Sequence, residues 1–306
     1  MGHKIAVYGA SGLTGTFVVA ELSNRGHTPL PFGRAQATAD NPAALDRALA
    51  GAEAVINTAG PFATTALPLL AAAERAGIPY VDVAAEIEAN ADTFARGASV
   101  PAVPAMAFFG GLSDLLVTAA MADWTTADEA HIAYNLSDWQ PSPGTLTAGK
   151  VSRARRNGQR VRFHNGSLTY HDETPPTLTW GFPSSTRQVI GEFSMADIVT
   201  VPSHLQIPSV TNYMSLEAAN GLAAAGSRQE PETFEIDVRV RRAGEERRMT
   251  ASGKDIYAVS APLAVEATER LLSARYTTTG VAAAGAMFDA KDFLNALTAI
   301  QTTNNA

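Results

Sequence analysis

The chain has 306 residues, of which 46% are hydrophobic and 17% charged, as in a globular protein of one large or two smaller domains. Its 23 Lys and Arg against 30 Asp and Glu give a formal net charge of -7, which argues against a nucleic-acid-binding protein, because such proteins need a basic surface. The absence of cysteine excludes disulfides, thiolate metal ligands and a cysteine nucleophile.

Targeting and metal-binding signals are scarce in the sequence. The N-terminus runs directly into strand-like residues without a long apolar signal segment, and no apolar run reaches the ~18 residues that span a bilayer. The six histidines are scattered, and His164 and His171 lack further ligands at zinc spacing. We therefore expect a cytoplasmic protein with no metal site and with neither a membrane nor a nucleic acid as partner.

The first 124 residues alternate between short apolar runs and stretches of helical periodicity. This alternation predicts right-handed βαβ units and a doubly wound parallel sheet, the Rossmann-type α/β fold. Pro29 and Pro31 fall in the second strand, which is therefore expected at a sheet edge or with irregular pairing. The predicted strands are 4–8, 28–32, 54–57, 80–83 and 103–109. Two predicted helices end at Gly26 and Gly77, and two more cover 42–50 and 112–124. Ser113 or Asp114 is the expected cap of the helix over 112–124.

The middle of the chain has the pattern of an antiparallel sheet. An Asn-Gly pair at 165–166 separates the strand-like runs 159–163 and 167–170, which predicts a hairpin with a type I′ turn. Apolar and charged side chains alternate over 234–241, as in a strand with one buried and one wet face, and a turn is expected at 243–244.

The C-terminal part returns to helical periodicity. Residues 262–274 and 286–300 predict two helices, which we expect to pack on the first domain. The predicted division is a dinucleotide-binding domain over 1–124, completed by helices within 262–306, and a second α+β domain over 125–261.

A glycine-rich turn, Gly9-Ala-Ser-Gly12-Leu-Thr-Gly15, lies between the first strand and the first helix. In such a turn, free backbone N–H groups and the positive end of the helix dipole face one point and form an anion site. Gly9 permits the tight turn, Gly12 lets a diphosphate approach, and Gly15 lets the helix pack on the sheet. The spacing is G-x-x-G-x-x-G, for which a purely structural turn is the alternative, but the position between strand and helix favours a dinucleotide.

The end of the second strand indicates which dinucleotide binds. An acidic residue there would bind the ribose 2′-OH of NAD, whereas an arginine accommodates the 2′-phosphate of NADP. The sequence reads Phe32-Gly33-Arg34, with no acid before Asp40. We therefore predict that Arg34 binds the 2′-phosphate and favours NADP by about ten- to a hundredfold, the alternative being a solvated surface arginine.

Several motifs after the glycine turn resemble those of one family. Val55-Ile-Asn-Thr-Ala-Gly-Pro-Phe62, with Gly77-Ile-Pro-Tyr-Val-Asp82, Glu86 and Phe108-Phe-Gly-Gly-Leu-Ser-Asp-Leu-Leu116, resembles the saccharopine dehydrogenase-like family. That family includes saccharopine reductases and trans-acting enoyl reductases. Ser142-Pro-Gly-Thr145 is similar to a family S-x-G-T segment.

The resemblance implies an NADP-dependent oxidoreductase in which Asn57 through Phe62 line the dinucleotide, with Phe62 near the nicotinamide. It also implies that the second domain supplies substrate contacts and often dimer contacts, so that a homodimer is expected. Together with the glycine turn, the predicted cofactor contacts are Gly9, Ser11, Gly12, Leu13, Thr14, Gly15, Arg34, Thr58, Ala59, Gly60, Pro61 and Phe62.

The proton donor of a reductase is harder to find in the sequence. None of the four lysines follows a tyrosine by four positions, which excludes the short-chain dehydrogenase mechanism, and no G-K-[ST] follows the glycine turn, which excludes Walker-type ATP binding. Three polar residues are catalytic candidates: Tyr134 at the start of the second domain, His204 beside a proline-bounded segment, and Asp82 at the end of a parallel strand. Each also has a structural interpretation, as a core residue, a surface residue or a cap.

A local basic stretch occurs in this acidic protein, formed by the arginines at 153, 155, 156, 160 and 162, with Lys150 close before it. It is either a solvated face or a binding surface for an anionic substrate tail or carrier protein. The leading hypothesis is an NADPH-dependent reductase acting on a C=N, C=C or C=O bond of a small molecule. The alternatives are a non-catalytic NADP-binding redox sensor and an accessory protein of a biosynthetic complex.

Overall fold

Five parallel strands form the first sheet of the computed structural model, which describes residues 2–223 and 231–305. In chain order the elements are β1 (Lys4–Tyr8), α1 (Leu13–Asn24), β2 (Thr28–Phe32), α2 (Pro42–Ala48), β3 (Ala54–Asn57), α3 (Phe62–Ala76), β4 (Tyr80–Asp82), α4 (Ile87–Arg96), β5 (Ala102–Val103) and α5 (Ser113–Met121). The strand order is β2-β1-β3-β4-β5, and this alternation of parallel strands and helices confirms the predicted Rossmann-type fold. The proline-containing β2 lies at the sheet edge, as predicted.

The second sheet has nine strands and is mainly antiparallel, as predicted. The elements that follow α5 are β6 (Glu129–Leu136), α6 (Pro143–Arg155), β7 (Arg160–His164), β8 (Ser167–His171), β9 (Thr177–Gly181), β10 (Thr186–Gly191), α7 (Asp197–Thr200), β11 (Val210–Ser215), α8 (Leu216–Ala223), β12 (Thr233–Arg242), β13 (Glu245–Lys254), α9 (Ser260–Leu272), α10 (Ala284–Met287), α11 (Ala290–Ala296) and β14 (Gln301–Asn305). The strands follow the order β14-β13-β12-β6-β11-β10-β9, with β7 paired to both β11 and β8. The pair β6 and β11 is parallel.

Both turns predicted for the second sheet are present. Asn165 and Gly166 connect β7 to β8 with φ angles of 51° and 74°, the left-handed values that a type I′ turn requires. Ala243 and Gly244, with φ angles of 50° and 86°, connect β12 to β13 in the same way. Local turn chemistry thus sets the register of these two hairpins.

Alternate residues of β1 enter two hydrophobic clusters on opposite faces of the first sheet. Ile5 and Val7 belong to the cluster that includes residues of α1 and α9, whereas Ala6 and Tyr8 belong to the one formed with α2 and α3. A parallel sheet covered on both faces needs such nearly continuous apolar strands. Helix α9 is held against α1 by Arg25, whose guanidinium bonds to Glu266 and Glu269 at 2.8 and 2.7 Å.

The predicted strand over 103–109 is wrong beyond Val103. Asp82, at the end of β4, accepts a hydrogen bond from the Ala105 N–H at its carboxylate (2.8 Å) and one from the Met106 N–H at its carbonyl (2.6 Å). Ala105 takes a φ of 55°, and residues 108–112 form a short kinked helix. The chain leaves the sheet early because a side chain distant in sequence holds it.

Helix α5 begins at Ser113, but neither Ser113 nor Asp114 caps it, which corrects the prediction. The Ser113 hydroxyl donates to the carboxylate of Asp197. Asp114 accepts a hydrogen bond from the Gly285 N–H at 2.6 Å and lies 2.9 Å from Nε2 of His204. Both side chains are therefore used to join α5 to distant parts of the chain.

The predicted helix over 286–300 is also wrong. Phe288 takes an extended conformation after α10, and the Asp289 side chain then accepts a hydrogen bond from the Asp292 N–H at 2.8 Å, so that a new helix begins. Strand β14 follows α11 and pairs with β13 at the edge of the second sheet. These last residues thus join the second sheet, although the predicted division assigned 262–306 to the first domain.

Within residues 2–223 and 231–305, none of the helices combines the length and the apolar character needed to cross a lipid bilayer. In the same part of the chain, no three histidine or acidic side chains are grouped as metal ligands.

Candidate active site

A cleft of about 940 Å3 lies at the carboxyl ends of the first sheet, where open α/β sheets bind ligands. One wall consists of the loops that follow β1, β2, β3 and β4. The other consists of α6, the start of β7 and the segment before α7. The two sheets therefore contribute opposite walls to one cavity.

The glycine turn has the geometry that a diphosphate needs. Gly9 has a φ of 85°, and a Cβ atom there would lie 2.8 Å from the Ala59 nitrogen. A Cβ at Gly15 would lie 2.2 Å from the Gly9 carbonyl oxygen, so only glycine lets α1 pack this closely on the turn. Helix α1 begins after Gly12 without a side-chain cap, which leaves its first amides free for an anion.

Arg34 follows β2 at the same edge of the sheet. Its side chain is exposed, lines the cleft and has no ion-pair partner in the described part of the chain. It is therefore free to bind a phosphate. The order of loops along the sheet edge places Arg34 beside the glycine turn, since β2 and β1 are neighbours.

Most of the predicted cofactor contacts come together in this cleft. Gly15 and Pro61 do not line it: Gly15 is buried beneath the turn, and Pro61 is the residue that precedes α3. Asn57 does not line it either, because its side chain is buried and accepts a hydrogen bond from the Ala59 N–H at 3.0 Å. The cleft-lining members of the predicted set are Gly9, Ser11, Gly12, Leu13, Thr14, Arg34, Thr58, Ala59, Gly60 and Phe62.

The three catalytic candidates, in contrast, all lie outside the cleft lining. Asp82 is fully buried and accepts hydrogen bonds from the Tyr80 hydroxyl (2.9 Å) and from the N–H groups of Ala84 (3.0 Å) and Ala105. Burial raises the pKa of its carboxyl group. These bonds fix the loops after β4 and β5, so Asp82 shapes the cleft without facing it.

Tyr134 stands one layer behind the cleft wall. Its hydroxyl donates to the Asp197 carboxylate at 2.8 Å, and its ring packs against Phe108 and Phe109, which do line the cleft. Burial and the negative charge of Asp197 both raise the pKa of the Tyr134 hydroxyl. Trp139, just after β6, lines the cleft, whereas Tyr134 does not.

His204 pairs with Asp114 away from the cleft. Burial opposes protonation of His204, but the adjacent Asp114 carboxylate raises the histidine pKa overall. The pair joins the segment after α7 to α5. Neither His204 nor Asp114 belongs to the described residues that line the cleft.

Glu86 is the polar group that the catalytic prediction missed. It lines the cleft between β4 and α4, with only 5% of its surface exposed. Its Oε1 accepts a hydrogen bond from the Phe62 N–H at 2.9 Å, whereas its Oε2 is buried without a hydrogen-bond partner among the described residues. Burial raises the pKa of Glu86 to about 7, against the Phe62 hydrogen bond and with help from Asp82 and Glu88.

The segment similar to the family S-x-G-T motif begins α6 on the opposite wall. The Ser142 hydroxyl accepts a hydrogen bond from the Thr145 N–H at 3.1 Å and so caps the helix. The Ser142 N–H and the Thr145 hydroxyl both contact the Tyr257 hydroxyl at 2.9 Å. These contacts hold α6 over the cleft, with Ala148 facing Gly60.

A family model matches part of the first domain. Residues 27–102 match the family model of the saccharopine dehydrogenase NADP binding domain. No curated protein matches the sequence.

Solved structures match only part of the chain. A protein from Burkholderia pseudomallei is 30% identical with a TM-score of 0.26, and the match covers 28% of this chain and 49% of that one. The dTDP-4-dehydrorhamnose reductase of Bacillus anthracis in complex with NADP is 15% identical, with a TM-score of 0.25 and coverages of 28% and 38%. The GDP-mannoheptose C4 reductase of Campylobacter jejuni with NADP bound is 18% identical, with a TM-score of 0.26 and coverages of 28% and 34%. The matched part spans less than half the length of each of these chains.

The strand order, the glycine turn and the family match agree with one another. The resemblance predicted from the sequence is confirmed over residues 27–102, and this match supports NADP as the cofactor. Residues 27–102 are therefore similar to an NADP-binding domain of the saccharopine dehydrogenase type.

Proposed function

We propose that the chain is an NADPH-dependent reductase that acts on a C=N, C=C or C=O bond of a small molecule. One observation carries the proposal: the glycine turn, Arg34 and the buried carboxyl group of Glu86 line the same cleft. Phosphate-binding groups and a group able to donate a proton thus share one cavity, as a reductase requires.

The order of the strands orients the cofactor in this cleft. Arg34 after β2 would hold the 2′-phosphate, and the amides of the glycine turn after β1 would hold the diphosphate. Residues 58–62 after β3, and then Glu86 after β4, would border the nicotinamide half. Bound in this way, NADPH supplies a hydride from its nicotinamide ring.

Glu86 is placed to supply the proton that completes a reduction. With a pKa of about 7, a large fraction of its carboxyl groups carries a proton at neutral pH, and a general acid works best near its own pKa. Its unpartnered Oε2 would donate this proton to the substrate atom that gains negative charge. The Phe62 N–H, bonded to Oε1, would then stabilise the carboxylate that is left.

Apolar side chains that would exclude water form part of the remaining cleft wall. Phe108, Phe109 and Trp139 line it with apolar surface and are themselves almost entirely buried. Exclusion of water strengthens the electrostatic effect of a nearby proton donor.

The test is turnover of NADPH by the purified protein with a panel of imines, enones and ketones, followed as loss of absorbance at about 340 nm, the band of reduced nicotinamide. We expect at least one class of compound to be reduced, with NADPH preferred to NADH. Tight NADPH binding without turnover of any compound would favour the non-catalytic redox sensor instead. Calorimetry that detects binding of neither NADPH nor NADH would overturn the assignment of the cleft.

A further inference from the structure

The wall opposite the glycine turn carries unpaired positive charge, although the protein as a whole has a net charge of -7. Lys150 and Arg153 on α6 and Arg160 at the start of β7 all line the cleft. In the parts of the chain that the structure describes, none of these three side chains has an ion-pair or hydrogen-bond partner. Lys150 and Arg153 are exposed, but Arg160 is partly buried, and an arginine in such a place is normally paired.

The other arginines of the basic stretch are paired. Arg155 bonds to Asp92 at 2.8 Å, Arg156 to Glu88 at 3.0 Å, and Arg162 contacts Glu173 at 2.8 Å. The stretch is therefore divided into arginines that have a structural partner and cations that have none. The unpaired arginines, Arg153 and Arg160, line the cleft together with Lys150 and the paired Arg156.

The surroundings of Arg160 are unfavourable for its positive charge. Its Nε is buried without a partner, and burial lowers the pKa of its guanidinium group. Glu192 opposes this shift but is also bonded to Arg162 at 3.3 Å, whereas the neighbouring guanidiniums of Arg153 and Arg156 add to it. An anion bound at this wall would satisfy the free Nε and relieve the repulsion between like charges.

We infer that the substrate carries an anionic group, a carboxylate or a phosphate, which Lys150, Arg153 and Arg160 bind. The inference rests on the proposed function and adds to it the chemical class of the substrate. Guanidinium groups suit this task because their planar arrangement of donors matches the oxygens of carboxylates and phosphates.

The position of this site agrees with the chemistry proposed for Glu86. The ion pair between Arg156 and Glu88 joins the cationic wall to α4, two residues after Glu86. A substrate held by its anionic group at this wall would extend toward Glu86 with its reducible bond. The phosphates of the cofactor would have separate partners, because Arg34 and the glycine turn lie on the facing wall, where they follow β2 and β1.

The experiment compares three variants with one control. The variants are Arg153→Gln, Arg160→Gln and the double variant that carries both substitutions, and the control is Arg155→Gln. Arg155 is a matched control because it lies on the same helix, pairs with Asp92 and does not line the cleft. The NADPH complex of each protein is titrated with succinate, with inorganic phosphate and with uncharged dimethyl succinate, and turnover is measured on ketones and enones presented as free acids and as methyl esters.

We expect each cleft substitution to weaken binding of the anion, or to raise KM for the free acids, by about ten- to a hundredfold, with little effect on the esters or on the affinity for NADPH. Arg155→Gln should behave as the wild type. Comparison of succinate with phosphate identifies which anion the wall prefers.

Two results would overturn the inference. One is a wild-type protein that binds neither succinate nor phosphate and reduces acids and esters equally well. The other is weaker NADPH binding in Arg153→Gln and Arg160→Gln, which would show that the wall holds the cofactor. Failure of every compound to be reduced would count against the proposed function alone, because the titrations with succinate and phosphate need no turnover.

Discussion

The two walls of the cleft recognise charge by different means. The wall formed by the first sheet uses backbone amides at the glycine turn, whose shape depends on Gly9 and Gly15 having no side chain. The facing wall uses the long side chains of α6 and β7, and its charge depends on which arginines are already paired. Backbone recognition leaves a motif that can be read in a sequence, whereas recognition by unpaired side chains becomes visible only when their neighbours are known.

The largest expected effect concerns Glu86, which follows β4 on the wall formed by the first sheet. We expect Glu86→Gln to lower kcat by about 10²–10⁴-fold, because the amide cannot donate the proton that completes the reduction. In the wild type, kcat should fall as the pH rises through about 7, the pKa of Glu86, because the protonated form is then lost, and this dependence should be missing in the variant. The measurement is the initial rate of NADPH oxidation across the neutral pH range, with the affinity for NADPH as the control. An unchanged rate and pH profile would leave Glu86 only the structural role of bonding to the Phe62 N–H.

A substitution in the glycine turn tests the wall that is formed by the first sheet. We expect Gly9→Ala to weaken NADPH binding on the order of a hundredfold, because the new Cβ would lie 2.8 Å from the Ala59 nitrogen and the backbone has a φ of 85°. Gly51→Ala is the matched control, since Gly51 also has a positive φ, of 79°, but has no atom within 4 Å of the added carbon. Titration of the intrinsic fluorescence of NADPH measures both. Equal losses in the two variants would attribute the effect to general backbone strain.

Arg34 decides how selective the same wall is between cofactors. We expect Arg34→Ala to reduce the preference for NADPH over NADH by about ten- to a hundredfold, because the bond to the 2′-phosphate is lost while binding of the diphosphate is kept. Arg75→Ala, which removes an exposed arginine paired with Asp46 outside the cleft, should leave the ratio unchanged. The two dissociation constants are measured by calorimetry. An unchanged ratio in Arg34→Ala would make Arg34 a solvated surface residue.

The smallest effect is expected for Tyr134, which lies behind the cleft wall. Tyr134→Phe removes the hydrogen bond to the Asp197 carboxylate and should cost about 1.5–3 kcal/mol in the free energy of unfolding, with kcat unchanged. Urea unfolding and the rate of NADPH oxidation are measured on the same preparation. A loss of rate of about tenfold or more in a fully folded variant would show that Tyr134 takes part in catalysis.

Local patterns were sufficient to predict much of the fold. The parallel strands of the first sheet, the edge position of β2 and the Asn165-Gly166 hairpin all follow from signals within a few residues of one another. One error arose where a distant residue intervenes, and the other at a local helix cap. Asp82 ends the strand after Val103, and the Asp289 cap divides the expected terminal helix.

The same distinction applies to the site. The glycine turn, Arg34 and the turn after β3 were predicted, because each follows directly from strand order and residue type. Glu86 was noted only as part of a family motif, since nothing near it in sequence reveals that its Oε2 is buried and unpartnered. Tyr134, His204 and Asp82 were the polar residues most visible in the sequence, yet the fold uses them to join its elements.

Helix α9 has a consequence for how the protein can be made and cut. It covers the face of the first sheet that includes Ile5 and Val7, and its Glu266 meets a partner 241 positions earlier in the chain. A ribosome must therefore translate most of the gene before the nucleotide domain can bury that face. A fragment that stops before residue 260 would expose an apolar surface, and we expect it to aggregate rather than fold as an independent cofactor-binding unit.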